Sequence, residues 1–182
     1  MDQALSMVDE ALPGGGFLVA PVPRSGIMIR EDATEEQELF IETAQRFVEE
    51  QIWTQIEAIE KKANVEGDDS TPLVVKLTRD AAELGFTSLE IPEEYEGLGL
   101  DLTTSLMVSE TLAGCASFAV TLGAHAGIGT LPIVYFGNAE QKAKYLPKLA
   151  EAELFDCYAL TEPGNGSDAL NGRTTAARSE DG

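Results

Sequence analysis

Cysteine and histidine are scarce in this 182-residue sequence: there are two cysteines, Cys115 and Cys157, and one histidine, His125. Two cysteines without metal-ligand spacing give no disulfide framework and point to a reducing, cytoplasmic setting. A lone histidine argues against a multi-histidine metal site within the chain, and no metal ligand is assigned. Basic side chains are also few. Lys and Arg total 12 against 32 Asp and Glu, for a net charge of −20. A surface that acidic speaks against nucleic acid and against an anionic membrane face as the main partner. It leaves room for a small anionic ligand held by a local patch of backbone N–H groups. No apolar run reaches the roughly 18–20 residues of a membrane span, so no transmembrane segment is expected. Met1 to Glu10 lacks the basic start of a secretory signal and the Arg-rich character of a transit peptide.

The composition is that of a folded chain, with 43% hydrophobic and 24% charged residues, and its length is enough to bury a sizeable core. Residues 1–33 are punctuated by Pro13, Gly14, Gly15, Gly16, Pro21 and Pro23, and read as an irregular arm. Thr34-Glu-Glu-Gln37 fits a capping box, and a helix is predicted from there. Its apolar stripe runs through Phe40, Ala44, Phe47, Ile52, Ile56 and Ile59, at spacings of three to five. Residues 31–70 carry 13 acidic and 3 basic side chains, read as a solvated helix face. A second helix is predicted with Thr71 as cap and Pro72 in its first position, stopped by Gly85. An extended piece over 86–91 and a loop over 92–99 follow.

The apolar region from Leu102 to Phe136 reads as two helices broken near 114–117. The second contains Gly123, Ala124, Ala126, Gly127 and Gly129. Each Gly costs a helix about 1 kcal/mol against Ala, which is tolerated where another helix or a ligand must approach closely. Asn138 with Gln141 repeats the capping-box pattern, and Pro147 is expected to kink or divide that helix. Leu154 to Thr161 reads as a short strand leading into a turn-rich loop, Glu162-Pro-Gly-Asn-Gly-Ser-Asp168.

That loop is the best candidate for chemistry. Gly164 and Gly166 can take positive φ and bring backbone close to a ligand. Successive N–H groups in such a turn form an anion or carbonyl-oxygen site, with Thr161 and Ser167 adding hydroxyls. As a bare pattern it is equally a simple turn. His125 reads as a satisfied structural histidine, since nothing marks a nucleophile beside it. The Gly97-Leu-Gly99 and Gly127-Ile-Gly129 pairs are not dinucleotide fingerprints, and no pair of carboxylates suggests acid–base work.

The stretch Tyr158-Ala-Leu-Thr-Glu-Pro-Gly-Asn-Gly-Ser-Asp168 closely resembles the signature of the flavin-dependent acyl-CoA dehydrogenases. Phe136-Gly-Asn-Ala-Glu-Gln-Lys-Ala-Lys-Tyr-Leu-Pro-Lys-Leu149 and Ile91-Pro-Glu-Glu-Tyr-Glu-Gly-Leu-Gly99 resemble two further family segments, in the family's order. The resemblance spans roughly residues 34–175. It implies a mainly α fold: an arm over 1–33, a helical-bundle domain over 34–152, and over 153–182 the first strands of an incomplete middle β-domain.

The resemblance also implies the cofactor FAD, with Tyr158, Ala159, Leu160, Thr161, Gly166 and Ser167 along the flavin. The N–H groups near Leu160 and Thr161 would meet its pyrimidine edge and the Thr161 hydroxyl would lie near N5. Donors there tune a flavin, because reduction places charge on the N1–C2=O side. Ser167 would also touch the CoA moiety. Asn165 stands where the family has a small residue. The small-residue helix resembles that of very-long-chain members, in which it floors the acyl pocket. Gly123 and Gly127 would then leave the pocket deep, for a long-chain acyl-CoA.

In the family a base removes the α-proton of the acyl-CoA, hydride passes to the flavin, and an electron-transfer flavoprotein accepts the electrons. The base is a Glu far downstream, so no catalytic residue is assigned here, and this chain alone is expected to be inactive. A homo-oligomer is expected for the full-length form. Poor solubility or self-association is expected for the chain itself, because an apolar interface is left uncovered. Two other readings stay open: a non-catalytic helical module that binds an acyl chain or partner helix, and an oxidase-type relative that passes electrons to oxygen.

Overall fold

The computed structural model describes residues 30–177 and residue 179. Most of the arm expected over 1–33 lies outside them. Among the described residues, 30–39 belong to one unit and 40–177 with 179 to another.

In the first unit, Arg30–Asp32 make one 3-10 turn. Thr34 and Gln37 then cap each other as the sequence predicts. The Gln37 N–H donates to Thr34 Oγ1 at 3.2 Å, and the Thr34 N–H donates to Gln37 Oε1 at 3.0 Å. Helix α1 runs from Glu35 to Phe47.

In the second unit the predicted first helix proves to be several pieces. After α1 comes a π turn, Val48–Ile52, then a 3-10 turn, Trp53–Gln55, then α2, Ile56–Glu60. The reason is in the stripe itself. Phe47 and Ile52 are five residues apart, and the wider turn keeps both on the core side. Both are buried. Residues 64–72 form a small antiparallel pair that no sequence signal marks, β1 (Asn64–Val65) and β2 (Asp68–Pro72). Helix α3 therefore starts at Leu73, with Pro72 as its cap residue, and runs to Glu83. Gly85 stops it with φ +82°.

The expected extended piece over 86–91 is instead a series of tight turns. Phe86, Thr87, Ser88, Leu89 and Ile91 are all buried there. The loop after it doubles back so closely that a Cβ on Gly97 would lie 2.0 Å from the Ile91 carbonyl oxygen. Helix α4 (Leu102–Leu112) is capped by Asp101, whose carboxylate accepts the Thr104 N–H at 2.8 Å. The break then falls at residues 113–115, close to the predicted place.

Helix α5 (Ala116–Gly123), a second π turn (Ala124–Gly129) and α6 (Leu131–Phe136) follow without interruption. Together they make one helix of 21 residues whose mean hydropathy reaches 1.4. By length and composition it could cross a membrane, which corrects the expectation that no stretch could. Small residues interspersed with Leu, Val and Ile raise the average without making an unbroken apolar run. Phe118, Leu122, His125, Thr130 and Val134 are buried in this unit, so one side of the helix is a core face. Much of the remainder is open, with only 22% of its most apolar window buried.

Helix α7 (Ala139–Ala150) has the predicted reciprocal cap of Asn138 and Gln141. Pro147 does not divide it, for the helix continues to Ala150. The main core gathers Phe47, Ile52, Leu77, Phe86, Val108 and Phe118 from five stretches of chain. The Phe47 ring touches Phe86 edge-on at 6.0 Å and Phe118 at 5.9 Å. A second cluster, Ile91, Val134, Leu146, Leu149 and Ala150, fastens α7 to α6. Thr87 Oγ1 donates to the Ala150 carbonyl at 2.5 Å, tying the end of α7 to the buried turns.

Candidate functional site

The π turn Ala124–Gly129 has two working faces. On one, Gly123, Ala126 and Gly127 line a cavity of about 220 Å³ together with Phe86, Leu112 and Leu122. A Cβ added at Gly123 or Gly127 would meet nothing within 4 Å. The two glycines therefore leave space unfilled instead of admitting a neighbouring helix. Whole small-molecule sites usually span about 300–1,000 Å³, so this volume suits part of a ligand, such as the end of a chain. Its walls are mainly apolar. The polar exceptions include Glu90, beside the Tyr135 hydroxyl at 3.5 Å, and Ser105, whose buried Oγ has no hydrogen-bond partner.

On the other face the turn holds the segment that leaves α7. His125 is fully buried, and its Nε2–H donates to the Leu149 carbonyl at 3.0 Å. Its Nδ1 accepts the Asp156 N–H at 3.2 Å. A carbonyl can only accept and an amide can only donate, so the two partners fix the neutral Nε2–H tautomer. The Phe155 ring lies against the imidazole at 5.5 Å, and the Arg79 guanidinium sits over Phe155 at 5.8 Å. Gly129 admits the segment, for a Cβ there would lie 2.5 Å from Asp156 Cβ. Burial lowers the His125 pKa, against smaller opposing effects from its bond to Leu149 and the Asp156 charge. Burial also raises Asp156, whose Oδ2 has no hydrogen-bond partner.

From this clamp the chain runs to Tyr158, Ala159, Leu160 and Thr161. They are exposed, have no regular secondary structure, and pair with no strand among the described residues. The strand predicted over 154–161 is thus not formed: Leu154 lies in a bend and 155–161 have no regular secondary structure. The N–H groups of Tyr158 to Thr161 donate to nothing among the described residues. The loop beyond is closed by the backbone pair Glu162 and Asn165, at 3.0 and 3.1 Å. Neither Gly164 nor Gly166 takes positive φ, contrary to the expectation. The turn closes by that reciprocal pair without left-handed residues, and Asn165 is accommodated there with its side chain donating to the Asn171 carbonyl. The Glu162 carboxylate accepts the N–H groups of Arg173 and Thr174 at 2.7–3.0 Å, and the Thr174 hydroxyl first, then these N–H groups, hold its pKa below the usual range. Gly166 and Ser167 are exposed on this loop.

The predicted residues thus fall in two places. Gly123 and Gly127 share the cavity, while Tyr158 to Ser167 lie along the exposed segment. None of the latter lines the cavity. Sequence reasoning gave His125 only a structural role and missed its two partners, along with Gly129, Glu90 and Ser105. A glycine four residues after a lone histidine was the available signal.

Residues 34–153 match the model of the acyl-CoA dehydrogenase N-terminal domain. The chain belongs to the acyl-CoA dehydrogenase family. A probable acyl-CoA dehydrogenase of Bacillus subtilis is 44% identical over 169 residues, which is 93% of this chain and 27% of that protein. Two mitochondrial acyl-CoA dehydrogenases of different specificity match at similar identity. The short-chain-specific enzyme of Rattus norvegicus is 39% identical over 54% of this chain and 24% of its own length. The very-long-chain-specific enzyme of Macaca fascicularis is 37% identical over 84% of this chain and 22% of its own. The crystal structure of an acyl-CoA dehydrogenase from Bacillus anthracis complexed with FAD superposes with a TM-score of 0.79 at 41% identity, over 89% of this chain and 26% of that one. The chain therefore spans about a quarter of the length of these relatives, and its mainly helical fold is that of their N-terminal domain with the start of the β-domain.

Proposed function

We propose that this chain supplies the acyl-facing helices and one flavin edge of an FAD-dependent acyl-CoA dehydrogenase that acts on long-chain acyl-CoA in fatty-acid β-oxidation. The observation that carries this reading is the Tyr158–Thr161 segment, which presents backbone N–H groups without partners among the described residues as it enters the Thr-Glu-Pro-Gly-Asn-Gly-Ser-Asp loop. Unengaged donors on an exposed segment suit the polar edge of an isoalloxazine, and the exposed side chains of Tyr158 and Leu160 suit its faces. Bound FAD would supply the acceptor for a hydride leaving the acyl chain.

This chain's own residues bind and orient. Leu160 and Thr161 would hold the pyrimidine edge, with Tyr158, Ala159 and Gly166 beside it. Ser167 would serve both the cofactor and the CoA moiety. Gly123 and Gly127 would receive the end of the acyl chain, and the open space over both favours a long one. Residues 34–152 would be the helical domain and 153–182 the start of the β-domain, in a cytoplasmic homo-oligomer that passes electrons to an electron-transfer flavoprotein. The proton-abstracting base belongs to another part of such an enzyme, so these 182 residues alone would be inactive.

A chimera tests this. Residues 34–177 replace the matching segment of the Bacillus subtilis relative, and dehydrogenation is followed with acyl-CoA from C4 to C18. The expected result is activity that favours long chains. The change Gly127→Leu should then lower kcat/KM for long chains by about tenfold or more while leaving C4 unchanged, the scale on which pockets discriminate by methylene groups. A folded chimera with no activity on any acyl-CoA would overturn the reading, and an unaltered chain-length profile in the Gly127→Leu form would overturn its long-chain part.

A further inference from the structure

The segment carrying Tyr158–Ser167 is fastened to the acyl-cavity helix at one point, and that point is built around the only imidazole in the chain. Five features converge there. Nδ1 of His125 accepts a backbone N–H, so it must be unprotonated for the bond to exist. Nε2–H is anchored on the last turn of α7. Phe155 covers the ring, and Gly129 is the only residue type that lets Asp156 come so close. Finally, Thr130 Oγ1 donates to the His125 carbonyl at 2.7 Å, fixing the backbone of the π turn that holds the ring. Such turns commonly mark functional positions within helices.

We propose that His125 is a positioning residue: as a neutral imidazole it pins Phe155 and Asp156 to the π turn beside the acyl cavity and so sets where Tyr158–Ser167 lies, and its protonation releases them. This rests on the reading of Tyr158–Ser167 as the flavin-facing segment. The chemistry is direct. A proton on Nδ1 turns the acceptor into a second donor facing the Asp156 N–H, and the bond is lost.

The charged groups around the ring divide. Asp156, on the exit segment, favours the imidazolium. Arg79, from α3, lies beyond Phe155 and opposes it. Lys148 and Glu153, flanking Leu149 and the exit segment, pair with each other at 3.3 Å and largely cancel. Burial acts against the charge and is the largest influence. The neutral form is therefore the resting one, and acidification is the trigger.

The lone histidine makes the test clean. In the 182-residue chain, 15N NMR of the imidazole reads tautomer and titration, and hydrogen exchange reads the Asp156 amide. Expected are the Nε2–H tautomer, a titration midpoint below that of a free histidine, and Asp156 exchange that accelerates about tenfold across the same midpoint after correction for the intrinsic pH dependence, the scale of one lost hydrogen bond. His125→Asn offers an acceptor that does not titrate, and should keep Asp156 protected with no such step. An ordinary histidine titration, the opposite tautomer, or Asp156 protection unchanged through the titration would overturn the proposal. If the variant does not fold, the unaltered chain decides alone. No flavin enters these readouts, so they separate failure of the clamp from failure of the flavin reading.

Discussion

At the scale of single residues, His125 and Asp156 give the fold a pH dependence whose sign can be worked out. An unfolded histidine titrates near 6.5, and burial lowers that value in the folded chain. Its contribution to stability is therefore full above about 6.5, and is lost as pH falls from there through the lowered folded value. Asp156 acts in the opposite sense. Its raised pKa means that its ionised form is disfavoured by the fold, and the cost lifts as pH falls through the raised value toward 3.8. The histidine loss begins at its unfolded value near 6.5. Urea denaturation followed by the fluorescence of Trp53, the one tryptophan, should give a lower midpoint at pH 5.5 than at pH 7.5. His125→Asn should flatten that difference, whereas an unchanged slope would remove His125 as its source. Gly129→Ala places a Cβ 2.5 Å from Asp156 Cβ and 2.9 Å from the Ala124 carbonyl oxygen. A cost of about 1–3 kcal/mol is expected from such overpacking. A loss near zero in the same urea assay would show that Asp156 is not held tightly.

At the scale of elements, much was legible because helix ends carry local signals. Both capping boxes, the Gly85 stop and the break after Leu112 follow from short-range chemistry written in a few adjacent residues. Asn138→Ala removes the acceptor for the Gln141 N–H and should cost about 1 kcal/mol, within the usual 0.5–2 for such caps. Thermal denaturation measures it, and the neighbouring exposed Glu140→Ala serves as a control with little effect. What was not legible depends on distant parts of the chain. Residues 86–91 look like a strand because they are apolar. They are turns because Leu98 and Leu100 donate back to the Ser88 and Leu89 carbonyls, satisfying the backbone locally. Pro147 stays within α7 because the burial of Leu146, Leu149 and Ala150 holds the helix through it. The π turn at 48–52 was visible as a five-residue spacing, but the one at 124–129 was masked by small residues that show no stripe.

At the scale of the whole molecule, the candidate site was legible as a motif and not as a geometry. Under the proposed function the signature loop names the residues that would face a flavin, yet nothing local says that Phe155 and Asp156 must be clamped to the long helix, since the clamp joins residues 31 apart. The same holds for Gly123 and Gly127, where composition showed small residues and only the fold showed an open space above them. The long helix and α4 also leave large apolar side chains in solvent, among them Leu102, Leu106, Val120, Tyr135 and Phe136, the last 87% exposed. Scattered exposed apolar residues are ordinary, but a group of this size on two helices promotes association. Despite the net charge of −20, light scattering during gel filtration should show self-association that rises with protein concentration. A strictly monomeric chain at all concentrations would show that these side chains are too dispersed to act together.

The most direct measurement is the visible spectrum of the chimera that carries residues 34–177 in the Bacillus subtilis relative, taken after gel filtration and again after adding a long-chain acyl-CoA. The expected result is flavin bands near ~370 and ~450 nm, with the second bleached by the acyl-CoA, while the 182-residue chain treated with FAD in the same way stays colourless. A folded chimera that emerges without flavin, or one whose bands no acyl-CoA bleaches, would contradict the assignment of these residues to the flavin edge and the acyl cavity.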